Sequence, residues 1–360
     1  MRRHTIRLLV PEVATHGGIQ RYMLSLLEML RELPDAHVEC FSLNDNDQPL
    51  ADRVHALTEN TRGFGRDKLA FSLSQLLTPR SDTTLLVGHL HLAPVALAAR
   101  LFGRIKDYIV VLHGIEAWQR HGWLTRWALR QARALVATTH YTVRQSADMD
   151  GVALERYVVI PLCTAREPAP PTPGFRLPGA FPLLMVARLD PSERYKGMEM
   201  VIDAVAELLR ANVPVHFNLV GDGADRARLE GYASDKGVAQ HVTFWGTLND
   251  ADLQAAYEST ALFVMPSKKE GFGIVFIEAM RHGIPCIGGN HGGTPEVILD
   301  GETGYLVDYG DTQGLVERIS ALWRDPGLRD RMASASTRVH GEQFTYEIFS
   351  ARWRKLISRC

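Results

Sequence analysis

The chain has 360 residues, of which 46% are hydrophobic and 22% are charged, and its formal net charge is −1. This length is ample for two domains, and the composition is typical of a soluble globular protein. A net charge so close to zero argues against a nucleic-acid partner. The four cysteines (Cys40, Cys163, Cys286 and Cys360) form no CxxC pair, so we expect neither a disulfide framework nor a zinc site, and a reducing cytoplasm fits.

Short β-rich runs alternate with longer amphipathic runs in the N-terminal half. The run IRLLV predicts a strand rather than part of a signal peptide, and GIQRYMLSLLEMLREL after it has the apolar spacing of a helix. Further strands are predicted at VECFSL, TTLLVGH, YIVVLHG, ALVATT and YVVIPL. This alternation predicts βαβ units and a parallel sheet. No apolar run approaches the roughly 18 residues of a membrane-spanning helix.

A proline-rich stretch at 166–180 interrupts the alternation and predicts an interdomain linker. The alternation then begins again, with strands predicted at PLLMVAR, VHFNLVG, VTFWG, ALFVMPS, PCIGG and GYLVD. The predicted fold class is therefore α/β, with two Rossmann-like, doubly wound domains (1–165 and 181–340) that face a central cleft. Residues 341–360 predict a closing helix in which Phe349, Trp353 and Ile357 form one apolar stripe.

The turn KKEGFG lies between a predicted buried strand and the predicted helix IVFIEAMRHG. The first amides of a helix have no intrahelical partner, and Gly271 and Gly273 let a ligand approach them closely. A diphosphate suits such a site. Glu270 precedes the turn and Glu278 lies on the helix, where a carboxylate can accept two hydrogen bonds from the vicinal diol of a ribose or a hexose. A solvated helix glutamate is the alternative interpretation of Glu278.

Two cations stand at another strand end, in VARLDPSERYKGMEMV. Arg188 follows the strand and Lys196 precedes a helix, so both could face a diphosphate in the predicted cleft. Hydrogen bonds to charged groups contribute ~1.5–3 kcal/mol, whereas an exposed ion pair contributes ~0–1 kcal/mol. Because Glu193 and Arg194 are close in sequence, a solvated loop of mutually paired charges is an equally good interpretation.

The first half has two weaker candidates at its strand ends. Gly17 and Gly18 open the first helix and could let the backbone approach a phosphate, although glycine pairs often only turn the chain. His113 ends the strand YIVVL, where it is either a functional residue or a hydrogen-bonded core histidine.

A helix rich in tryptophan and arginine and two short acidic runs are further candidates for function. Trp123, Leu124 and Trp127 share a helical face beside an arginine stripe (Arg126, Arg130 and Arg133), a pattern typical of contact with an anionic membrane. We favour the alternative, in which the tryptophans pack on the protein's own sheet. The acidic runs at 45–47 and 148–150 imitate a metal-binding DxD but are predicted to be solvated loops.

These residues together resemble the retaining glycosyltransferases of family 4, which have the GT-B fold. The resemblance covers nearly the whole chain and is strongest at EGFGIVFIEA, which places Glu270 and Glu278 in an E-x7-E pattern. Supporting marks are the glycine pair at 17–18, ARLDPSERYKG at 187–197 and GGTPE at 292–296. The spacing between Arg188 and Lys196 is longer than is common in the family, so we take Lys196 as the phosphate ligand and Arg194 as the weaker candidate.

The resemblance implies retaining transfer of a hexose from a nucleotide-diphosphate sugar to a saccharide or lipid-linked saccharide acceptor. It implies no metal and no other cofactor, and a setting in bacterial surface polysaccharide or glycolipid synthesis, in the cytoplasm or at the inner face of the membrane. A nucleotide-sugar epimerase or phosphorylase on the same fold, or a non-catalytic sugar-nucleotide-binding module, is the alternative. No motif separates GDP-mannose from UDP-glucose or UDP-N-acetylglucosamine as the donor.

The resemblance also implies a role for each candidate residue. Arg188 and Lys196 would hold the donor diphosphate, Glu270 would contact donor-sugar hydroxyls beside the reacting carbon, and Glu278 would hold the ribose. The amides of Phe272, Gly273 and Ile274 would contact phosphate and sugar. Gly18 would let the N-terminal loop reach the diphosphate, and His113 would lie beside the donor sugar. The C-terminal helix would cross back to the first domain.

Overall fold

The computed structural model describes residues 4–15, 17–77 and 82–358. Contacts divide the chain into two units, one formed by Met1–Cys163 with Tyr346–Cys360 and the other by Thr164–Thr345. Cys40, Cys163 and Cys286 are buried free thiols, and Cys360 lies outside the described residues. No helix in the described ranges is long and apolar enough to cross a bilayer.

The first unit is built around a seven-stranded parallel sheet. Its strands are β1 (His4–Val10), β2 (Ala36–Ser42), β3 (Asn60–Gly63), β4 (Thr83–Val87), β5 (Asp107–Leu112), β6 (Ala134–Ala137) and β7 (Tyr157–Val159). Its helices are α1 (Gly18–Arg31), α2 (Asp47–Val54), α3 (Lys68–Leu76), α4 (Ala93–Leu101), α5 (Trp123–Gln131) and α6 (His140–Asp150). Most residues of the inner strands are buried, as expected for a parallel sheet covered on both faces.

The strand order of the first sheet is β3-β2-β1-β4-β5-β6-β7. The chain therefore winds outward in both directions from β1 and β4, which pair in parallel with Leu8 opposite Leu86. Ligands of doubly wound sheets bind beyond the carboxyl ends of the strands where the winding reverses. In this unit those ends are Val10 of β1 and Val87 of β4.

The second unit repeats this design with six parallel strands. They are β8 (Phe181–Val186), β9 (Val215–Val220), β10 (Val242–Gly246), β11 (Leu262–Met265), β12 (Cys286–Gly289) and β13 (Gly304–Val307). The helices are α7 (Met198–Arg210), α8 (Arg226–Asp235), α9 (Asp250–Ser259), α10 (Ile274–Arg281), α11 (Thr312–Arg324) and α12 (Pro326–Gln343). The order β10-β9-β8-β11-β12-β13 places the reversal between β8 and β11. The predicted pair of doubly wound α/β domains is confirmed.

A final helix, α13 (Tyr346–Ile357), packs on α1 within the first unit. Phe349 and Trp353 are buried, and their rings meet the Tyr22 ring edge-on at 5.1 and 6.4 Å between centroids. Trp353 Nε1 also donates a hydrogen bond to Tyr22 Oη at 3.2 Å. The apolar stripe thus ties the end of the chain to the first helix.

The proline-rich stretch forms neither helix nor strand and lies along the second unit. Thr172 N donates to Ala251 O at 3.1 Å, and Leu177 N donates to Ser259 Oγ at 3.1 Å. The Phe175 ring packs on Trp245 at 5.1 Å between centroids. These contacts fix the stretch against the β10–α9 edge of that unit.

The favoured interpretation of the tryptophans is wrong. Trp123 is 70% exposed and Trp127 is 39% exposed. Helix α5 buries Ala128 and Leu129 instead, because these smaller side chains form the face that meets the sheet. The aromatic face is left on the surface.

The two acidic runs are not simple solvated loops either. Asp45 is buried and accepts hydrogen bonds from Val13 N at 2.8 Å and Ser42 Oγ at 2.7 Å. Asp150 is buried at the end of α6 and accepts from His121 N at 3.0 Å. In both cases buried backbone amides need an acceptor, which the carboxylate supplies.

Candidate functional site

The turn between β11 and α10 depends on a glycine. Gly273 caps α10 with φ of 82°, a left-handed conformation that favours glycine, and no side chain caps this helix. A Cβ atom added to Gly273 would lie 2.5 Å from Cδ2 of the buried Phe276 ring. Because the cap residue is a glycine, no cap side chain accepts a hydrogen bond from the N-terminal amides of α10, which include that of Ile274. Helix N-termini of this kind bind anions.

Glu270 lies at the start of this turn and is half-buried. Its carboxylate accepts hydrogen bonds from the amides of Gly271 and Phe272. Burial raises the pKa of Glu270, while the nearby Lys196 ammonium and these two amides oppose the rise. The predicted phosphate contact from the Phe272 amide would therefore have to share its N–H with Glu270. The Phe272 ring is buried against Phe344.

Arg188 and Lys196 meet on one buried carboxylate. Arg188 follows β8, and Lys196 ends a short 3-10 helix, Pro191–Lys196. Lys196 Nζ lies 2.6 Å from a carboxylate oxygen of Glu193, whose other oxygen accepts from Arg188 Nη2. Glu193 is 8% exposed, whereas the Arg188 side chain is 76% exposed. Glu193 thus pairs with both predicted cations, so the charges of this loop are mutually paired.

Arg194 has a different partner. Its guanidinium lies 3.1 Å from Asp225 Oδ1, and Arg228 binds the same buried carboxylate. Arg194 and Lys196 therefore point to separate carboxylates, although they are two residues apart. Of these two cations, Lys196 is the one that opposes the rise in the pKa of Glu270.

A second glycine brings the two strand ends together. Gly197, which follows Lys196, has φ of 86°, and a Cβ there would lie 2.9 Å from Pro266 O. Lys268 N donates to Tyr195 O at 2.7 Å, which joins the segment before α7 to the segment before α10. This close approach places Lys196 beside Glu270 at the reversal between β8 and β11.

Glu278 lies on α10 and is half-buried rather than solvated. Tyr257 Oη donates to its carboxylate at 3.0 Å. Tyr257 is fully buried on α9, and its ring stacks on His282 at 5.6 Å between centroids. Tyr257 therefore holds one carboxylate oxygen of Glu278, and no motif in the sequence pointed to it.

The Tyr257→Phe substitution tests this orientation. It removes one hydrogen bond to a charged group and leaves the buried ring in place, so we expect donor affinity to fall by about three- to tenfold if Glu278 binds the ribose. Isothermal titration with the donor nucleotide would measure the change. The matched control is Tyr232→Phe, which removes a hydroxyl bound to Asp203 on α7. An equal effect of both substitutions would contradict an orienting role for Tyr257.

The other two predicted residues belong to the first unit. Gly18 is the first residue of α1, which like α10 has no side-chain cap. His113 is buried after β5, and its Nε2 donates to Gly88 O at 2.8 Å. Burial lowers the pKa of His113, so the ring is neutral near pH 7. Both residues border the β1–β4 reversal, and their roles toward a donor stay predictions.

A cavity of about 560 Å³ opens at the same edge of the first sheet. Polar side chains from four segments line it, namely Glu12, Gln20, Asn44, Lys68, His89 and His91. His89 and His91 are 4.7 Å apart between ring centroids, and burial lowers the pKa of His89 to about 4. Among the described residues no group of three or more His, Cys, Asp or Glu side chains has a metal-binding arrangement. Apolar side chains, among them Leu43, Phe71 and Leu92, line the rest of the cavity, whose size suits a small molecule.

Each half of the chain matches a glycosyltransferase family model. The model described as Glycosyltransferase Family 4 matches residues 16–164, and the model described as Glycosyl transferases group 1 matches residues 178–339. A curated relative, the GDP-mannose-dependent alpha-(1-6)-phosphatidylinositol monomannoside mannosyltransferase of Mycolicibacterium smegmatis, is 34% identical over 170 residues, which are 45% of this chain and 44% of the relative. The chain thus covers less than half the length of this relative, and the same holds for two further curated relatives.

Solved structures match over nearly the full chain. Sucrose-phosphate synthase from Thermosynechococcus elongatus has a TM-score of 0.82 at 23% identity, with 99% of each chain covered. Anabaena HepE in complex with UDP has a TM-score of 0.82 at 20% identity, with 99% of this chain and 100% of that chain covered. At these identities the likeness shows the fold. Because the two family models together span most of the sequence, the chain belongs to the family 4 glycosyltransferases with the GT-B fold.

Proposed function

We propose that the protein is a retaining, metal-independent hexosyltransferase that uses a nucleotide-diphosphate sugar as donor. The observation that carries the proposal is the cluster at the β8–β11 reversal. There Glu193 joins Arg188 to Lys196, and Lys196 lies beside Glu270 at the N-terminus of α10, which no side chain caps. Two cations and a set of amides suit a diphosphate. The half-buried Glu270 beside them suits the hydroxyls of the attached sugar.

The chemistry follows from where charge develops. In glycosyl transfer the sugar becomes oxocarbenium-like while the leaving diphosphate gains negative charge. Lys196, Arg188 and the α10 amides would stabilise that charge more in the transition state than in the bound donor, and this difference accelerates the reaction. Glu270 would bind hydroxyls of the donor sugar, and Glu278 would bind the ribose diol in the orientation that Tyr257 fixes. In this scheme side-chain cations take the part that a metal ion plays elsewhere.

The acceptor is proposed to be a saccharide or a lipid-linked saccharide that reaches the first unit. The cavity that Ile19 and His89 line supports this, because its acidic, amide and imidazole side chains can hydrogen-bond hydroxyl groups while its apolar side chains pack on a sugar ring. The Mycolicibacterium relative is named for a phosphatidylinositol-linked acceptor, which supports a role in glycolipid or surface-polysaccharide synthesis. We place the protein in the cytoplasm, at the inner face of the membrane.

A donor screen tests the proposal. UDP-glucose, UDP-N-acetylglucosamine and GDP-mannose are each added in a thermal-shift experiment, and one of them should raise the unfolding midpoint by mass action. With that donor and an oligosaccharide acceptor series, NMR of the product should show the same anomeric configuration as the donor. EDTA should leave the transfer rate unchanged.

Other outcomes would assign a different function. Donor binding without transfer to any acceptor would indicate a binding module. Turnover of the donor without acceptor would favour an epimerase, and a requirement for inorganic phosphate would favour a phosphorylase. A product of inverted configuration would overturn the retaining assignment.

A further inference from the structure

Exposed apolar side chains are concentrated on one side of the first unit. Among the described residues, twelve large apolar side chains are exposed, and eight of them lie on or directly after α3, α4 and α5. They are Leu69, Leu73, Leu77, Leu101, Phe102, Trp123, Leu124 and Trp127. We call these three helices and their exposed side chains the α3–α5 face. Soluble monomers seldom keep so many large apolar groups together on one surface without a partner.

The three helices are neighbours on the same side of the sheet. Contacts join α3 to α4 and α4 to α5, in the order expected for right-handed crossovers through β3, β4, β5 and β6. Each helix has nine residues and is therefore about 13 Å long, and adjacent helices lie about 10 Å apart. Leu69, Leu73 and Leu77 recur every four residues, so they form one stripe along α3. The face is broad and shallow rather than a groove.

The charged residues within these three helices all have the same sign. None of the three helix sequences, KLAFSLSQL, APVALAARL and WLTRWALRQ, contains an aspartate or a glutamate. Two carboxylates lie just outside these helices: Asp67, which caps α3 by accepting from Ala70 N, and Asp107, which pairs with Arg133 at 2.7 Å. The basic residues on or beside these helices are Lys68, Arg100, Arg120, Arg126 and Arg130.

Few negatively charged groups of the described residues pair with these basic side chains. Arg100 and Arg130 donate to carbonyl oxygens of Gln131 and Asp150, which carry no charge. Arg126, next to Trp127, has a buried Nε with no hydrogen-bond partner among the described residues. Lys68 and Arg120 are exposed. The face therefore combines tryptophans and leucines with cations for which the described residues supply no carboxylate partner.

We propose that the α3–α5 face docks on a bilayer with anionic lipid headgroups, an assignment that rests on the proposed lipid-linked acceptor. Tryptophan favours the membrane interface because its ring is apolar and its N–H is polar. A surface rich in Trp and Leu beside Lys and Arg lies in the headgroup region and is attracted by anionic lipids. A second protein copy would place like charges against each other, which disfavours self-association through this face.

Vesicle binding of the full chain, without donor or acceptor, tests the docking. We expect flotation with phosphatidylcholine vesicles that contain 30% phosphatidylglycerol, and at least tenfold weaker binding to pure phosphatidylcholine or in 0.5 M salt. The double substitution Trp123→Ser with Trp127→Ser removes the aromatic part, and Lys68→Gln with Arg120→Gln removes two charges. Each should weaken binding to the anionic vesicles about tenfold or more.

Matched controls come from outside the face. Met149→Ser with Leu154→Ser removes two exposed apolar groups of the first unit, and Arg210→Gln with Arg324→Gln removes two exposed charges of the second unit. Both should leave binding unchanged within twofold. Absence of binding to anionic vesicles, or an equal loss in the controls, would overturn the docking surface. A dimer in solution that the tryptophan substitutions abolish would also overturn it in favour of a second copy.

Vesicle binding and sugar transfer are measured separately, so the docking surface and the proposed function can fail independently. Transfer to a soluble acceptor without vesicle binding would remove the docking surface and leave the proposed function intact. Vesicle binding without any donor turnover would support the docking surface and contradict the proposed transferase activity.

Discussion

Replacing Lys196 with alanine should lower kcat/KM by about 10- to 100-fold. Lys196 is mostly buried, contacts Glu193 at 2.6 Å and lies close enough to affect the pKa of Glu270. A charged contact to the leaving diphosphate contributes ~1.5–3 kcal/mol, and each 1.4 kcal/mol is a factor of ten in rate. If the contact strengthens as the diphosphate leaves, kcat falls more than donor affinity does. Steady-state kinetics with the donor identified by thermal shift measures both.

The neighbouring Arg194 is the matched control. It lies in the same 3-10 helix, but its side chain is 49% exposed and is paired with Asp225. Since an exposed ion pair contributes ~0–1 kcal/mol, Arg194→Ala should change kcat/KM by about threefold or less. Lys196→Met, which keeps the aliphatic stem, should behave like the alanine variant while protecting the packing. Similar rates for Lys196→Met and Arg194→Ala would remove Lys196 from the donor site.

Glu193 explains how two cations can stay together in this site. Two positive charges at one strand end repel each other, and the buried Glu193 carboxylate compensates for both. A bound diphosphate would have to share or replace that carboxylate as their partner. Most of the Arg188 side chain is in solvent and can reorient toward a ligand, whereas Lys196 is mostly buried and is held by Glu193.

Much of the fold could be predicted because parallel strands buried on both faces leave short continuous apolar runs in the sequence. The runs LLMV and ALFVM are examples, and they became β8 and β11. The edge strand β3 has the sequence NTRG and was not recognised, because an edge strand that is half exposed carries no apolar pattern. The helix α2 was missed for a related reason, since only Leu50 and Val54 on it are buried.

Within the candidate site, the sequence predicted the positions where the backbone requires a glycine at a strand end. Glycines at 273 and 197 mark left-handed turns, and a turn at a strand end is visible in the sequence. Side-chain pairs between residues far apart in the chain cannot be recognised in the sequence. Tyr257 meets Glu278 across 21 residues, and Asp225 rather than Glu193 binds Arg194 across 31 residues. The tryptophans of α5 were assigned to the core because a pattern of apolar residues does not say which face meets the sheet.

Replacing Gly273 with alanine should destabilise the second unit by about 2–4 kcal/mol. The residue has φ of 82°, where a side chain is strained by ~1–3 kcal/mol, and its new Cβ would lie 2.5 Å from the Phe276 ring. That ring is fully buried and packs edge-on against Phe263, so moving it disturbs the core. For a unit of this size each kcal/mol lowers the melting temperature by roughly 2–4 °C, which predicts a drop of roughly 5–15 °C by calorimetry.

Gly231→Ala is the control for this substitution. Gly231 lies within α8, is exposed, and has no atom within 4 Å of the position of an added Cβ. Because alanine favours a helix over glycine, this change should stabilise the unit by ~0.5–1 kcal/mol. The Gly273 variant should in addition lose donor affinity by about tenfold or more at temperatures where it is fully folded, since the turn positions both Glu270 and the α10 amides. A variant that melts early but binds donor normally would show that the turn stabilises the unit without forming the anion site.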